Sequence, residues 1–297
     1  MSTFEVTEGV YGIDTELFDR GFTSVYLFDD DQPTLVDTGT AATADHVMDA
    51  MADCDVDVTD LENVVCSHIH VDHSGGAGDL VAANPDLDVY IHELTASHLA
   101  DPSGLIESSR AAMGEHFERM GEQRPVPEAN ITTVSDEGTT IDIGATSLEL
   151  IHAPGHSPDH FAVWNPDRDL LFAAECLGGY LERADKWFPP STLPNFDVAQ
   201  IDAAIDRLQQ LDPDQILLPH FGEWPHATEK AFEMAERELH RFDERILDLY
   251  EQTGSADETK AAVADELLAV SPPYDESIES FYSSLITDGY LRYHGLI

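Results

Sequence analysis

Residues 62–76 read ENVVCSHIHVDHSGG. The apolar run Val64–Val65–Cys66 has the length and β-branched content of a buried strand, and the glycine pair Gly75–Gly76 supplies a turn beyond it. Between them lie His68, His70, Asp72 and His73, four candidate metal ligands within six residues. On an extended backbone, side chains two apart share a face, so His68 and His70 are expected to reach one ion. Asp72 and His73 follow where the chain turns and are expected to face a second. Burying four unpaired ionisable groups is costly, which weighs against a chance cluster.

Three further residues extend the constellation. His156 lies in APGHSPDH between Pro154 and Pro158, Glu175 closes the apolar run DLLFAAE, and His220 follows ILLP. Each is expected at a strand terminus, where a sheet holds a side chain rigidly. His160 reads either as a hydrogen-bonding support or as a packed strand start. His92 and His152 read as satisfied core histidines. His46, His98, His116, His226, His240 and His294 read as surface or packing residues.

Around these positions the chain alternates strands and helices. FEVTEGVYGI, TSVYLFDD and PTLVDTG read as strands, 41–53 as a helix, GAGDLVAAN as a helix and LDVYIH as a strand. Residues 92–122 read as an amphipathic helix. NITTV, TTIDIG, TSLELIHA, HFAVWNP and DLLFAAE then form a second series of strands. In DVAQIDAAIDRLQQL the apolar stripe Val198, Ile201, Ile205 and Leu208 marks a helix, followed by the strand DQILLPH. From residue 226 only helices are expected, punctuated by Gly254 and Pro272–Pro273. The expected division is therefore 1–225, a catalytic body, and 226–297, a helical extension.

Composition bounds the setting. The 297 residues hold 59 acidic against 14 basic side chains, for a net charge of −45. Lysine occurs only at 186, 230 and 260. The acids are spread along the chain, as on a solvating surface suited to concentrated salt; an acidic face for a basic partner is the alternative. Nucleic-acid binding is disfavoured, because phosphate contacts need the cations that are scarce here. Hydrophobic residues make up 42%, enough for a core. Three cysteines, Cys54, Cys66 and Cys176, without CxxC spacing point to a reducing compartment. With no signal-peptide pattern and no membrane-spanning run, the expected location is cytoplasmic.

In order, HxHxDH, a histidine in PGHSP, an acid after one apolar strand and a histidine after another resemble the metallo-β-lactamase fold superfamily of hydrolases. The resemblance covers about residues 4–225 and includes Asp37 in LVDTGT, which matches the family's first motif. It implies an α/β fold, a four-layered αββα sandwich, here with a C-terminal helical extension. It assigns His68, His70 and His156 to one ion and Asp72, His73 and His220 to another, with Asp37 supporting rather than ligating. Glu175 stands where the family normally has a bridging Asp. Its extra methylene leaves two readings open, a bridging Glu or a mononuclear site. Two zinc ions are the expected cofactor, with iron or manganese as alternatives. Between the ions a water would lose its proton near neutral pH and become the nucleophile, with Asp72 as ligand and proton acceptor.

The stretch LGGYLERADKWFPPSTLPNF, residues 177–196, is long for a plain connector and follows a ligand, so it is expected to overhang the metals. Tyr180, Lys186, Trp187, Phe188 and Phe196 are its expected pocket residues. The implied activity is hydrolysis of a small ester, thioester or lactone, in a branch similar to glyoxalase II or to uncharacterised hydrolases. Residues 226–297 lack the basic cluster that glyoxalase II enzymes use for their thiol. Competing readings are a mononuclear iron persulfide dioxygenase-like oxidoreductase, a nuclease of the same fold, and a binding protein without turnover. The expected partner is a small molecule; a homo-oligomer is left open.

Overall fold

Alternation along the strands separates two cores on either side of each sheet. The computed structural model describes residues 2–268 and 276–297. The first sheet runs in chain order: β1 (Thr3–Thr7), β2 (Val10–Asp14), β3 (Ser24–Phe28), β4 (Thr34–Val36), β5 (Asn63–Val65), β6 (Asp88–His92) and β7 (Ile131–Val134). Strands β1 to β4 pair antiparallel and β4 to β7 parallel. Val25 and Leu27 of β3 face one way, into a core shared with Val47 and Met51 of α1 (Ala44–Ala52) and Leu80 of α2 (Ala77–Ala83). Tyr26 and Phe28, the alternate residues, enter a core between the sheets.

The link from β6 to β7 carries α3 (Ala96–Ala100) and α4 (Ser103–Met113). A single helix over 92–122 was the expectation. Instead α3 ends just before Pro102, which cannot supply the next backbone donor, and α4 ends at Gly114 with φ +57°. NITTV, expected to open the second series of strands, is β7 and lies beside β6 in the first sheet. The α3–α4 crossover allows that parallel return.

The second half builds β8 (Thr139–Asp142), β9 (Ser147–His152), β10 (Phe161–Asn165), β11 (Leu170–Phe172), a separate hairpin β12 (Gly179–Leu181) and β13 (Lys186–Phe188), then β14 (Gln215–Leu218) and β15 (Gly222–Glu223). The second sheet has the order β15-β14-β11-β10-β9-β8. Phe161, Val163, Phe172 and Leu217 meet Tyr26 and Phe28 between the sheets. Ala162, Trp164, Leu171, Ile216 and Leu218 face outward onto α5 (Val198–Gln209) and α6 (Thr228–Thr253). Helices, sheet, sheet and helices make the αββα sandwich.

The α5 stripe Val198, Ile201, Ile205 and Leu208 is buried throughout. Val263 of α7 (Ala256–Val263) and Ile286 and Tyr290 of α8 (Glu276–Tyr293) belong to the same core as α5 and α6. The C-terminal helices thus join the outer layer over the second sheet. The break expected at Pro272–Pro273 lies outside the described residues. No helix among the described residues is long and apolar enough to cross a membrane.

Among the described residues, Asp14, Asp37, Asp159 and Glu238 are the fully buried acids, so almost all of the acidic excess lies at the surface. Surface repulsion of this size is relieved by salt. The melting temperature is therefore expected to rise by several degrees between about 0.1 M and about 2 M KCl. A melting temperature that stays flat or falls would contradict this.

Candidate metal centre

The HIHVDH segment is not extended. β5 ends at Val65, residues 67–70 bend and 71–73 turn, so strand alternation is not what brings His68 and His70 together. The turn is closed by its own hydrogen bonds and by the LVDTGT segment. Ser74 Oγ donates to the Ile69 carbonyl at 2.9 Å. Thr38 donates to the His73 carbonyl from both its N–H, at 2.7 Å, and its hydroxyl, at 2.9 Å. A Cβ at position 75 would collide with the Val71 carbonyl, so only glycine fits there.

This turn and three distant loops bring all seven expected ligand residues together. His70 Nδ1 lies 2.9 Å from His68 Nε2 and 3.0 Å from His156 Nε2. Glu175 Oε2 lies 2.6 Å from His156 Nε2 and 3.4 Å from His68 Nε2. Beside this group, Asp72 Oδ2 lies 3.5 Å from His220 Nε2 and 3.7 Å from His73 Nε2. Within each group one ligand atom per residue falls within 4.8 Å of the others. Glu175 touches both groups, with Oε2 3.4 Å from His73 Nε2 and Oε1 3.5 Å from His220 Nε2. Ligand atoms held tetrahedrally at zinc-like bond lengths stand about 3.3 Å apart, so the spacing is of the right order for an ion.

Two of these residues leave their strands before the site. Glu175 does not end β11, which stops at Phe172; it sits on the short turn Ala174–Leu177, where Ala174 has φ +43°. His220 lies two residues beyond β14. Its carbonyl accepts the Tyr180 N–H, and the Phe221 N–H donates to the Tyr180 carbonyl at 3.1 Å.

The ring nitrogens facing away from the groups have partners that fix the tautomers. Asp37 Oδ2 accepts from His73 Nδ1 at 2.8 Å, the Pro190 carbonyl from His156 Nδ1 at 2.9 Å, and the Phe22 carbonyl from His220 Nδ1 at 3.0 Å. These oxygens only accept, so Nδ1 carries a proton, and in the neutral ring Nε2 is the nitrogen that keeps the lone pair. Asp37 reaches a fourth ring through Ser67, whose hydroxyl donates to Asp37 Oδ2 at 3.0 Å and accepts from His68 Nδ1 at 3.0 Å. Asp37 itself has φ +60°, a region that Asp tolerates better than most residues, and its Oδ1 accepts the Ser67 N–H at 2.8 Å. The buried His73 Nε2 has no hydrogen-bond partner among the described residues. A buried ring nitrogen facing two carboxylates, 3.7 Å from Asp72 and 3.4 Å from Glu175, without a hydrogen bond is what a metal ligand presents.

Burial, together with the charges of its neighbouring histidines, holds His68 well below the ordinary histidine range, and burial with His156 takes His70 down to about 4. Burial acts in the same direction on His73, but the Asp72 and Asp37 carboxylates outweigh it and hold that ring well above the ordinary range. For Glu175 burial is overcome by the charge of His156 and by the nearby rings of His68 and His73, which hold the carboxyl well below its ordinary range and ionised. His160 is held neutral by burial; its Nε2 accepts the Glu175 N–H at 3.0 Å and so pins the turn that aims Glu175.

A narrow cleft of about 100 Å³ opens over both groups. Of the five expected pocket residues, Phe188 lines it; Tyr180, Lys186, Trp187 and Phe196 do not. Tyr180 packs on Trp187 and Trp224, with its hydroxyl donating to Asp185 at 2.9 Å. Phe196 packs on Tyr290 of α8. The charges acting on Lys186 are Arg241, Glu238 and Glu279. Apolar residues of the 177–196 stretch turn inward because the hairpin is covered by α6 and α8.

The cleft wall missed from the sequence comes from two helices, with Ala112 and Met113 from α4 and Tyr282 and Leu285 from α8. Tyr282 stacks on Phe188 at 4.8 Å. The overlooked signal was Gly289 inside a helix, an expensive position unless something packs against it. A Cβ there would collide with Ser191 Oγ. His92 and His152 form a separate cluster with Asp136, where His92 Nε2 donates to Asp136 at 2.9 Å and His152 Nε2 to the Pro158 carbonyl at 2.8 Å.

The family profile for the metallo-beta-lactamase superfamily matches residues 18–220. The chain belongs to that superfamily. An acyl-coenzyme A thioesterase of Homo sapiens is 24% identical over 188 residues, 58% of this chain and 59% of that protein. A probable metallo-hydrolase of Bacillus subtilis is 26% identical over 228 residues, 69% of each chain. A metallo-beta-lactamase family protein of Thermus thermophilus superposes with a TM-score of 0.67 at 21% identity, covering 98% of this chain and 95% of that one. Members of the superfamily typically bind metal ions, and the His, Asp and Glu groups described above suit that chemistry.

Asp37→Asn keeps the size of the side chain but removes the charge that orients His73 and, through Ser67, His68. Metal affinity, measured by competition with a chromophoric chelator, is expected to fall about 10- to 100-fold while the circular dichroism spectrum is kept. Unchanged affinity would contradict this role.

Proposed function

We propose that the chain is a metal-dependent hydrolase of a carboxylic thioester, ester or lactone, a thioester being the leading case. The observation that carries the reading is the pair of ligand groups joined by Glu175, with the buried His73 Nε2 left without a hydrogen bond between carboxylates beneath an open cleft. The resemblance to an acyl-coenzyme A thioesterase favours a thioester. His68, His70 and His156 would hold one ion and Asp72, His73 and His220 the second, with Glu175 shared. Zinc suits these imidazole and carboxylate donors, with iron and manganese as alternatives. Metal bound there supplies Lewis acidity toward a carbonyl oxygen and lowers the pKa of water.

The chain's own residues do the rest. Asp72 lines the cleft and is the proton acceptor at its carboxylate. Phe188, Tyr282 and Leu285 form an apolar wall that orients the acyl group and excludes bulk water. Pro190, Phe22 and Asp37 keep the histidine tautomers correct, so no ring must change its proton position when substrate arrives. In this reading residues 1–225 are the catalytic body and 226–297 the extension that completes the cleft.

The test is a panel of thioesters, esters, lactones and phosphodiesters assayed with zinc in about 2 M KCl, where surface repulsion is screened. Chelator-sensitive hydrolysis of a carboxylic substrate is expected, lowered at least about a hundredfold by His68→Ala and largely kept in Glu175→Asp. No turnover of any carboxylic substrate by the metal-loaded protein, or turnover unaffected by His68→Ala, overturns the reading.

A further inference from the structure

The cleft continues beyond the metal-ligating groups. Four of its lining residues, His70, Ser109, Ala112 and Leu193, also line a larger, half-open chamber of about 970 Å³. Ile69, Leu105 and Leu94 make part of that chamber apolar. Leu94 is 58% exposed, more than any other large hydrophobic residue described. Ser284, Asp288 and Arg292 of α8 also line it, and their spacing of four puts them on one helix face. Lys260 of α7 lies beside them, 2.8 Å from Asp288.

The charges stand out against the rest of the molecule. The chain has 14 Lys and Arg against 59 acids, yet this chamber's lining balances two cations, Lys260 and Arg292, against two carboxylates, Asp159 and Asp288, and Asp159 is taken up by the Ile69 N–H and the Thr95 hydroxyl. Lys260 pairs with Asp288, whereas Arg292, exposed at the chamber's rim, makes no ion pair among the described residues. Among the described residues, Ser157, itself 5% exposed, presents a buried hydroxyl with no partner in the same chamber lining, and Asp288 Oδ1 is buried without a partner as well. Unsatisfied buried polar atoms, an unpaired guanidinium and an exposed leucine in one continuation of the cleft are the features of a ligand site.

We propose that this chamber receives a long apolar arm of the substrate and that Arg292 binds an anionic group at the end of that arm. Ser157 adds a hydrogen bond and Leu94 covers the apolar part. The proposal rests on the hydrolase reading only for the chemistry at the other end of the arm. Arg292 suits a carboxylate, sulfonate or phosphate, because its planar fork makes two parallel bonds to such oxygens. Specificity then arises from α8 rather than from the metal ligands.

Binding and turnover are read separately. Octanesulfonate binding is followed by calorimetry in about 1 M KCl. It is expected to be equal in wild type and His68→Ala, about tenfold weaker in Arg292→Glu and in Leu94→Asp, and partly restored in Arg292→Lys. Two series of thioesters carry a terminal sulfonate on an arm of about eight carbons, one on the acyl side and one on the leaving thiol. In the series whose arm occupies the chamber, Arg292→Glu is expected to raise KM about tenfold with kcat unchanged, and to leave the uncharged analogue unaffected. Octanesulfonate binding that Arg292→Glu leaves intact, or no binding by wild type, overturns the proposal. KM values insensitive to Arg292 in both series overturn it too. Intact, Arg292-dependent sulfonate binding with no thioester, ester or lactone cleaved supports the anion site and overturns the hydrolase reading instead.

Discussion

The Asp37 carboxylate governs the proton positions on two of the site histidines. It accepts directly from His73 and, through Ser67, orders His68, so one acid acts on both ligand groups. The adjacent Thr38 ties the His73 carbonyl to the same loop. With the turn's own hydrogen bonds and the Asp159 carboxylate, which accepts the Ile69 N–H at 2.9 Å, that anchor orients a segment that is neither strand nor helix. The left-handed backbone of Asp37 follows from this duty, because the carboxylate must turn back toward residues 67 and 73.

A second line of support runs from the C-terminus. Gly289 lets α8 approach Ser191 closely, and the Ser191 hydroxyl donates to the Ile286 carbonyl at 3.0 Å. The preceding Pro190 carbonyl holds His156. The helix that supplies Tyr282 and Leu285 to the cleft therefore also steadies the loop that orients a ligand histidine. Core packing, support of the His156 loop and the cleft wall meet in α8.

Much of this was legible in the sequence, and the gaps have physical causes. The strands, the α5 stripe and the seven histidine and carboxylate positions could be read because each reflects a short-range pattern. Local conformation was read less well. HIHVDH looked like a strand continuing, but hydrogen bonds from Thr38, thirty-five residues away in sequence from His73, impose a turn. Glu175 looked like a strand end, yet His160 holds its N–H on a separate turn. The pocket residues were the weakest reading. Aromatics beside a ligand suggested a cleft wall, but Tyr180, Trp187 and Phe196 are needed to seat the hairpin on α6 and α8, and the wall comes from helices remote in sequence. No local pattern carries that information.

The acidic surface and the buried site solve different problems. Repulsion among the surface acids belongs to the solvent, whereas Asp37, Asp72 and Glu175 act on histidines within a few ångströms. The central claim is that the buried constellation is a centre for two metal ions held by two ligand groups. Calorimetric titration of the metal-free protein with zinc tests it most directly. The account predicts about two equivalents for wild type and about one for His73→Ala. No binding by wild type, or two equivalents still bound after His73→Ala, would contradict it.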